Sequence, residues 1–472
     1  MSIWRLAATP ALRFLHGVWE GIVCWRVPGL SGSGTLTSAD NELLDRTGSC
    51  IAMGESFGCY WQPVALSREI GERDPPPVRV KVMGEDLVAL RDTEGRVELI
   101  EPHCAHRGAK LFFGRNEACG IRGIYHGWKY DVNGSCVDMP NVPPGTVYHD
   151  KISIKACPTR EFGDIVWAYF GPQERMPEAV PQLESGMLPP LHRYVTKRLQ
   201  ACNWAHSMEG ALDTAHLHFS FLHTPAPAQF SNENATVAAD KRRLPWLRDN
   251  PMPRFTVLEH EVGFVVGGAR RADRNAAYGR ITQFMLPAHS VAPSAMPGEI
   301  YYGYSWVRIT DETGWIYVYA WNPERPIFDD ERARFDRGGF GQFAALGPGF
   351  VPLRNRANDY LIDCDEQKQR SFNGIRGVAE QDAIAQDNQG FIADRAREHL
   401  TPTDMAIVRF RRSMLGGATA LREGKEPAAV QCPGHYAQRG RGCLAPANLS
   451  LEEVMRHRFG SMNGRVSSAD CG

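Results

Sequence analysis

A cysteine and two histidines in the first third of the chain carry a spacing that ordinary loops lack. Cys104 and His106 stand one residue apart in "HCAHRG", and His126 falls within "ACGIRGIYHGWKY" at 118–130. A [2Fe–2S] cluster of the Rieske type takes two thiolates on one iron and two imidazoles on the other. Two tight loops, Cys-x-His and Cys-x-x-His, each give one ligand to each iron. A lone Cys-x-His is commonly an ordinary loop pair; two half-motifs at the right separation favour the cluster, so Cys104, His106 and His126 are the cofactor-binding candidates. The second loop lacks a ligand, because the residue three before His126 is Gly123. Cys119 is a surrogate to consider. It lies four residues away, and a metal–sulfur bond tolerates only a few tenths of an ångström around about 2.3 Å.

A second constellation lies at 208–224, "MEGALDTAHLHFSFLHT", which holds Asp213, His216, His218 and His223. A single Fe(II) that activates O₂ keeps open positions when two histidines and one carboxylate hold it. The stretch 209–223 reads as a helix or bent helix. His216 and His223 share a helical face, yet a straight helix separates them by about 10.5 Å. Nitrogens on one iron are at most about 4 Å apart, so the helix must bend between them. His218 with His223 needs less compression. Asp213 and His216, three apart, can hydrogen-bond on one face, which favours His216 with His223.

These residues need elements to position them. The stretch 75–101 alternates apolar and polar residues around Gly84 and the "DTEG" turn, a β-hairpin signature, and 161–172 reads as another strand. Both loops of the first constellation fall between them, in an all-β unit. A Pro-rich boundary follows. Beyond it, 301–323 reads as two aromatic, β-branched strands and 379–400 as a helix with Gly390 its weak point. Strands and helices mix without a βαβ repeat, so the fold class expected is α+β: an N-terminal all-β domain followed by an α+β catalytic domain with an antiparallel sheet and helices. The divisions expected are an extension over 1–35, disordered; the cluster domain with its leading segment over 36–172; the catalytic domain over 173–422; and a peripheral tail over 423–472.

At 472 residues the chain has room for two domains and tails. Its net charge of −1 gives no electrostatic case for nucleic acid or an anionic membrane. No uninterrupted apolar run reaches the roughly 18 residues of a membrane span. Twelve cysteines scattered through a chain of this size fit a reducing cytoplasm with some metal-bound thiolates better than a disulfide scaffold.

The segment "CAHRGAKLFFGRNEACGIRGIYHGWKYDVNGSCVDMPN" resembles the cluster region of Rieske non-heme iron oxygenases, most of all the phthalate 4,5-dioxygenase-like oxygenase subunits. The likeness runs from about Leu36 to Arg412. It implies a cysteine where this chain has Gly123. It also implies an Asp-x-x-His-x4-His pattern, which Asp213-x-x-His216 satisfies on the left and His218-x4-His223 on the right. Asp213 would link an iron-bound histidine to a neighbouring subunit's cluster, and Asp382 in "GVAEQDAIAQDNQG" matches the carboxylate ligand, with Asp387 its rival. The metal set expected is therefore His216, His223 and Asp382. The resemblance implies an oxygenase component that hydroxylates or O-demethylates an aromatic, carboxylate-bearing compound with O₂ and electrons from a separate reductase. It implies a homo-oligomer, a trimer, because a head-to-tail interface that closes makes a ring. Loss of the ligand at Gly123 would impair electron entry; the competing reading is an inactive scaffold subunit in a mixed oligomer. Arg308, Arg354, Arg356 and Arg376 are candidates for a substrate carboxylate, and Phe284, Trp306 and Trp321 for an apolar wall.

Overall fold

The computed structural model describes residues 35–46, 48, 51–143, 148–217, 243–250, 252–293, 298–339, 341–369, 371–450 and 452–455. Three small antiparallel sheets build the N-terminal part. Val78–Val82, Glu85–Arg91 and Val97–Ile100 form one, with the chain reversing at Met83–Gly84 and at Gly95. Gln62–Leu66, Ile165–Ala168 and Thr159–Phe162 form the second. The single strand expected over 161–172 is thus a hairpin, because Gly163 and Asp164 both take left-handed conformations that reverse the chain. Four short strands, Arg115–Asn116, Ile121–Arg122, Lys129–Tyr130 and Cys136–Asp138, form the third sheet. They enclose a small core of Leu111, Ile121, Trp128 and Tyr130 around Cys104.

The second part is an antiparallel sheet of eight strands in the order Arg193–Gln200, Gly314–Trp321, Tyr301–Arg308, His289–Val291, Ala276–Met285, Gly263–Asp273, Arg254–His260, with Arg441–Pro446 also paired to Ala276–Met285. The two strands expected within 301–323 are Tyr301–Arg308 and Gly314–Trp321. Helices Trp204–Leu212, Val378–Asp387 and Met405–Arg422 carry or support the site. The helix expected over 379–400 stops at Asp387, short of Gly390, which takes a left-handed φ of +105°. The segment expected as a peripheral tail places Arg441–Pro446 in the large sheet, buries Tyr436 and sets Val454 and Met455 into an apolar cluster. Through residue 455 it is part of the large-sheet fold, because its strand fills hydrogen bonds that Ala276–Met285 offers.

A buried ion network ties the helices Trp204–Leu212 and Met405–Arg422 together. Glu209 accepts hydrogen bonds from Arg395 Nε at 2.9 Å and Arg411 Nε at 2.8 Å, while Arg395 also reaches Asp45 at 2.7 Å and Arg411 reaches Glu398. Burial pushes the Glu209 carboxyl up, but the two guanidiniums outweigh it and hold its pKa down to about 2. A buried charge is tolerable only when so paired. Glu209 lies one turn before Asp213, so the network anchors the helix that delivers the second constellation.

Candidate iron sites

Two loops carry the candidates, one after the strand Val97–Ile100 and one between Ile121–Arg122 and Lys129–Tyr130. The first closes on itself through Cys104 N–H to Ala109 O and Gly108 N–H to Cys104 O, each 2.9 Å. The second closes through Gly123 N–H to Trp128 O at 2.9 Å. Gly127 is required there: its φ is +76° and a Cβ would meet Pro140 at 2.7 Å. Together the loops bring His106 and His126 to 4.2 Å between ring centroids, with the planes 69° apart. Trp128 stacks on His106 at 4.5 Å and is itself fixed by Nε1–H to Asn141 Oδ1 at 2.7 Å. Tyr130 OH accepts from Ala105 N–H at 3.0 Å, which leaves its own hydrogen free for Cys104 Sγ at 3.2 Å. A thiolate there would have a fixed donor.

The donor set fits an iron–sulfur cluster in three positions of four. His106 Nδ1 is buried with no hydrogen-bond partner among the described residues; such an atom is costly unless something occupies its lone pair. Desolvation, and then the nearby Arg107, lower the His126 pKa from its ordinary value, which favours the neutral ring that binds metal. Gly123 is the gap. Its φ is not left-handed, and a Cβ would meet only Leu111 Cδ2 and Trp128 O, each at 3.6 Å. The backbone does not require glycine, and a side chain would fit.

Cys119 does not fill the gap. It sits in the turn joining Arg115–Asn116 to Ile121–Arg122, with φ +60° and its N–H on Thr93 Oγ1 at 3.1 Å. Its sulfur stands with the carboxylates of Asp92 and Glu94. Cys136 is buried on the adjoining strand, where its sulfur faces Asp138 O at 3.7 Å.

The second constellation takes a form that helical periodicity did not suggest. Helix Trp204–Leu212 begins at Asn203, whose side chain accepts from Ala205 N–H at 2.9 Å, and it ends at Asp213, which is extended. Asp213 and His216 therefore do not share a helix face. They meet because Asp213 Oδ1 accepts from Ala215 N–H at 2.7 Å and His216 N–H at 3.3 Å, a turn that folds the histidine back. Asp213 Oδ2 then lies 3.4 Å from His216 Nδ1, and His216 Nε2 lies 3.4 Å from Asp382 Oδ1. Burial disfavours the imidazolium, but the hydrogen bonds and charges of Asp213 and Asp382 outweigh it and raise the His216 pKa to about 10. One positive charge is thus stabilised between two carboxylates. The Nε2–Oδ1 separation is one that two ligands of a single ion can span, since two bonds of about 2.1 Å reach at most about 4.2 Å. His218 and His223 lie outside the described residues.

Asp387, the rival to Asp382, points elsewhere. It is buried and accepts from Tyr360 OH and from Gln200 Nε2, each at 2.5 Å. Gln200 Oε1 in turn accepts from Arg198. Arg198 and Arg280, on strands of the large sheet that three others separate, line the cavity of about 90 Å³ that contains Asp213, His216 and Asp382. Trp306 and Ile316 give that cavity an apolar wall, and Ser207, Tyr304 and Gln342 give it polar groups. None of the four arginines singled out from the sequence lines it. Arg308 is fully buried over the Phe57 ring at 3.8 Å, Arg354 and Arg356 hold backbone carbonyls, and Arg376 pairs with Glu366. Trp306 is where it was expected. Phe284 packs on Phe264 and Phe410, and Trp321 donates to Glu184. A larger cavity of about 500 Å³, lined by Lys197, Trp315, Phe350 and Phe112, shares no residue with this one and holds none of the candidate ligands.

Comparison with known proteins bears on both halves. The model of the Rieske [2Fe–2S] domain matches residues 60–158, and that of the family described as LigXa C-terminal domain like matches residues 168–436. The phthalate 4,5-dioxygenase oxygenase subunit of Pseudomonas putida is 38% identical over 88% of this chain and 93% of its own length. The 3-chlorobenzoate-3,4-dioxygenase oxygenase subunit of Comamonas testosteroni is 31% identical over 89% and 98%. Among solved structures, an oxygenase in the ferredoxin complex of carbazole 1,9a-dioxygenase shares the fold with a TM-score of 0.53 at 17% identity, over 85% of this chain and 98% of the other.

Proposed function

Because the chain belongs to the Rieske non-heme iron oxygenases, as an oxygenase subunit with a Rieske [2Fe–2S] domain and a mononuclear-iron catalytic domain, we propose that it oxidises an aromatic carboxylic acid, by hydroxylation or O-demethylation. The observation that carries the substrate class is the placement of Arg198 and Arg280 in the wall of the cavity that holds His216 and Asp382. A guanidinium presents paired donors that match a carboxylate. Gln200, which itself donates to Asp387, accepts from Arg198 and holds it. Trp306, itself fixed by Nε1–H to Ser207 Oγ at 2.9 Å, offers a flat apolar surface for a ring.

His216, Asp382 and His223 would hold the iron, which supplies O₂ activation when bound. Asp213 keeps a proton on His216 Nδ1 and so leaves Nε2 as the ligand atom. The same carboxylate is the natural bridge to a cluster histidine of a neighbouring subunit, in a closed trimer fed by a separate reductase, in the cytoplasm. Among the described residues no helix is long and apolar enough to cross a membrane. Electron entry is the weak step, since Gly123 gives the cluster no side chain. The scaffold reading draws on that gap alone; the orderly approach of Asp213, His216 and Asp382 speaks for a working iron site.

Single-turnover incubation with isotopically labelled O₂, dithionite and a series of aromatic acids tests the proposal. We expect label in the product of the Gly123→Cys protein and at most about a tenth as much product from the unaltered chain. Absence of product from both proteins, with iron bound, would refute the oxygenase reading.

A further inference from the structure

We propose that the larger cavity, of about 500 Å³, is a second ligand site and takes a biaryl carboxylic acid. The inference stands apart from the iron sites and needs neither of them. The lining comes from both matched domains: Val80, Leu87 and Val88 belong to the hairpin of the N-terminal part, and Lys197, Ile309 and Trp315 to the large sheet or its edge. The hairpin is pinned across the seam, with Met83 N–H donating to Arg308 O at 2.7 Å and Gly84 N–H to Ile309 O at 2.9 Å. The gap beside these bonds is therefore a built feature of the seam. Small-molecule sites favour such seams and measure about 300–1,000 Å³, which the cavity beside His216 does not reach.

The charges along the lining select the occupant. Lys197 is buried and its ammonium is 2.8 Å from Glu69, whose carboxylate also accepts from Leu66 N–H at 2.7 Å. Lys81 pairs with Asp86 at 3.6 Å. Both carboxylates of the lining are thus taken, so a metal cation finds no free ligand there. Arg79 and Lys110 are exposed and have no carboxylate partner among the described residues, which leaves the lip positive. The Arg79 guanidinium is held 3.5 Å over the Phe112 ring, ready to present paired donors to a carboxylate. Inward the wall is apolar, and Phe112, Trp315 and Phe350 offer ring surfaces. A polyol would leave that wall unsatisfied. An acid with its carboxylate at the lip and flat rings inside matches both ends.

Calorimetric titration of the full chain with biphenyl-4-carboxylate tests the site, beside the neutral biphenyl-4-carboxamide. The variants compared are the double substitution Arg79→Gln with Lys110→Gln, at two exposed positions whose loss should leave the fold intact, and Arg280→Gln in the smaller cavity. The expected result is about one acid bound per chain, at least about tenfold more weakly in the double variant and within about twofold of the unaltered chain in Arg280→Gln. The amide should bind at least about tenfold more weakly than the acid. The acid should also raise the unfolding temperature of the unaltered chain and not that of the double variant. Absence of binding overturns the inference. So does binding that the double variant retains in full, binding that Arg280→Gln abolishes, or equal binding of the amide. None of these results involves turnover, so the oxygenase reading stands or falls separately.

Discussion

Glu98 offers a perturbation whose size can be worked out. It lies on the strand Val97–Ile100 opposite Leu90, only 1% exposed, with neither carboxylate oxygen hydrogen-bonded among the described residues. Burial, and then the negative charges of Asp92 and Asp131, push its pKa from 4.5 up to about 8. The folded state therefore holds a proton that the unfolded state releases. Its stabilising effect is complete below about pH 4.5 and is lost as pH rises through about 8. A shift of about 3.5 units at about 1.36 kcal/mol each amounts to about 5 kcal/mol, of which about 3 is already gone at pH 7. Glu98→Gln keeps the shape and removes the titration. Urea unfolding of both proteins should coincide near about pH 4.5, and the variant should be more stable by several kcal/mol near about pH 9. Parallel curves at the two pH values would refute the reasoning, because they would mean that Glu98 is ionised and solvated in the fold.

Other consequences concern the scaffold and the site. Glu209→Gln leaves Arg395 and Arg411 without their shared buried carboxylate and should cost about 3–5 kcal/mol, read as an earlier urea midpoint. Gln200→Leu removes the acceptor that holds Arg198; one lost charged hydrogen bond of about 1.5–3 kcal/mol should raise KM for an aromatic acid roughly 10- to 150-fold, with a neutral analogue unaffected. Arg280→Gln should weaken binding of aromatic acids in calorimetry while leaving iron content unchanged. Gly123→Cys should unfold within about 0.5 kcal/mol of the unaltered chain, because the added side chain meets only ordinary contacts.

The cluster loops were legible because their candidate ligands sit close together in sequence and their type is distinctive. Aromatic and β-branched residues on either side of a turn likewise marked Tyr301–Arg308 and Gly314–Trp321. The Asp213–His216 contact was anticipated for a wrong reason: a three-residue spacing suggested a helix face, whereas the carboxylate ends the helix and folds the chain back. Arg198 and Arg280 escaped notice because nothing local distinguishes a strand arginine that faces a cavity from one that faces water. They line one cavity only because the sheet carries three other strands between their own, which no local pattern reveals. The strand Arg441–Pro446 was hidden for a similar reason, since a short Gly- and Arg-rich segment becomes a strand only when a neighbouring edge accepts it.

The account stands most directly on the proposal that His216, His223 and Asp382 hold the iron. Anaerobic titration of the full chain with Fe(II), followed by nitric oxide and electron paramagnetic resonance, tests it without any need for the cluster. One ferrous nitrosyl centre per chain is predicted, lost in His216→Ala, His223→Ala and Asp382→Ala and retained in His218→Ala and Asp387→Asn. A signal that survives Asp382→Ala, or vanishes in Asp387→Asn while the protein stays folded, would contradict it.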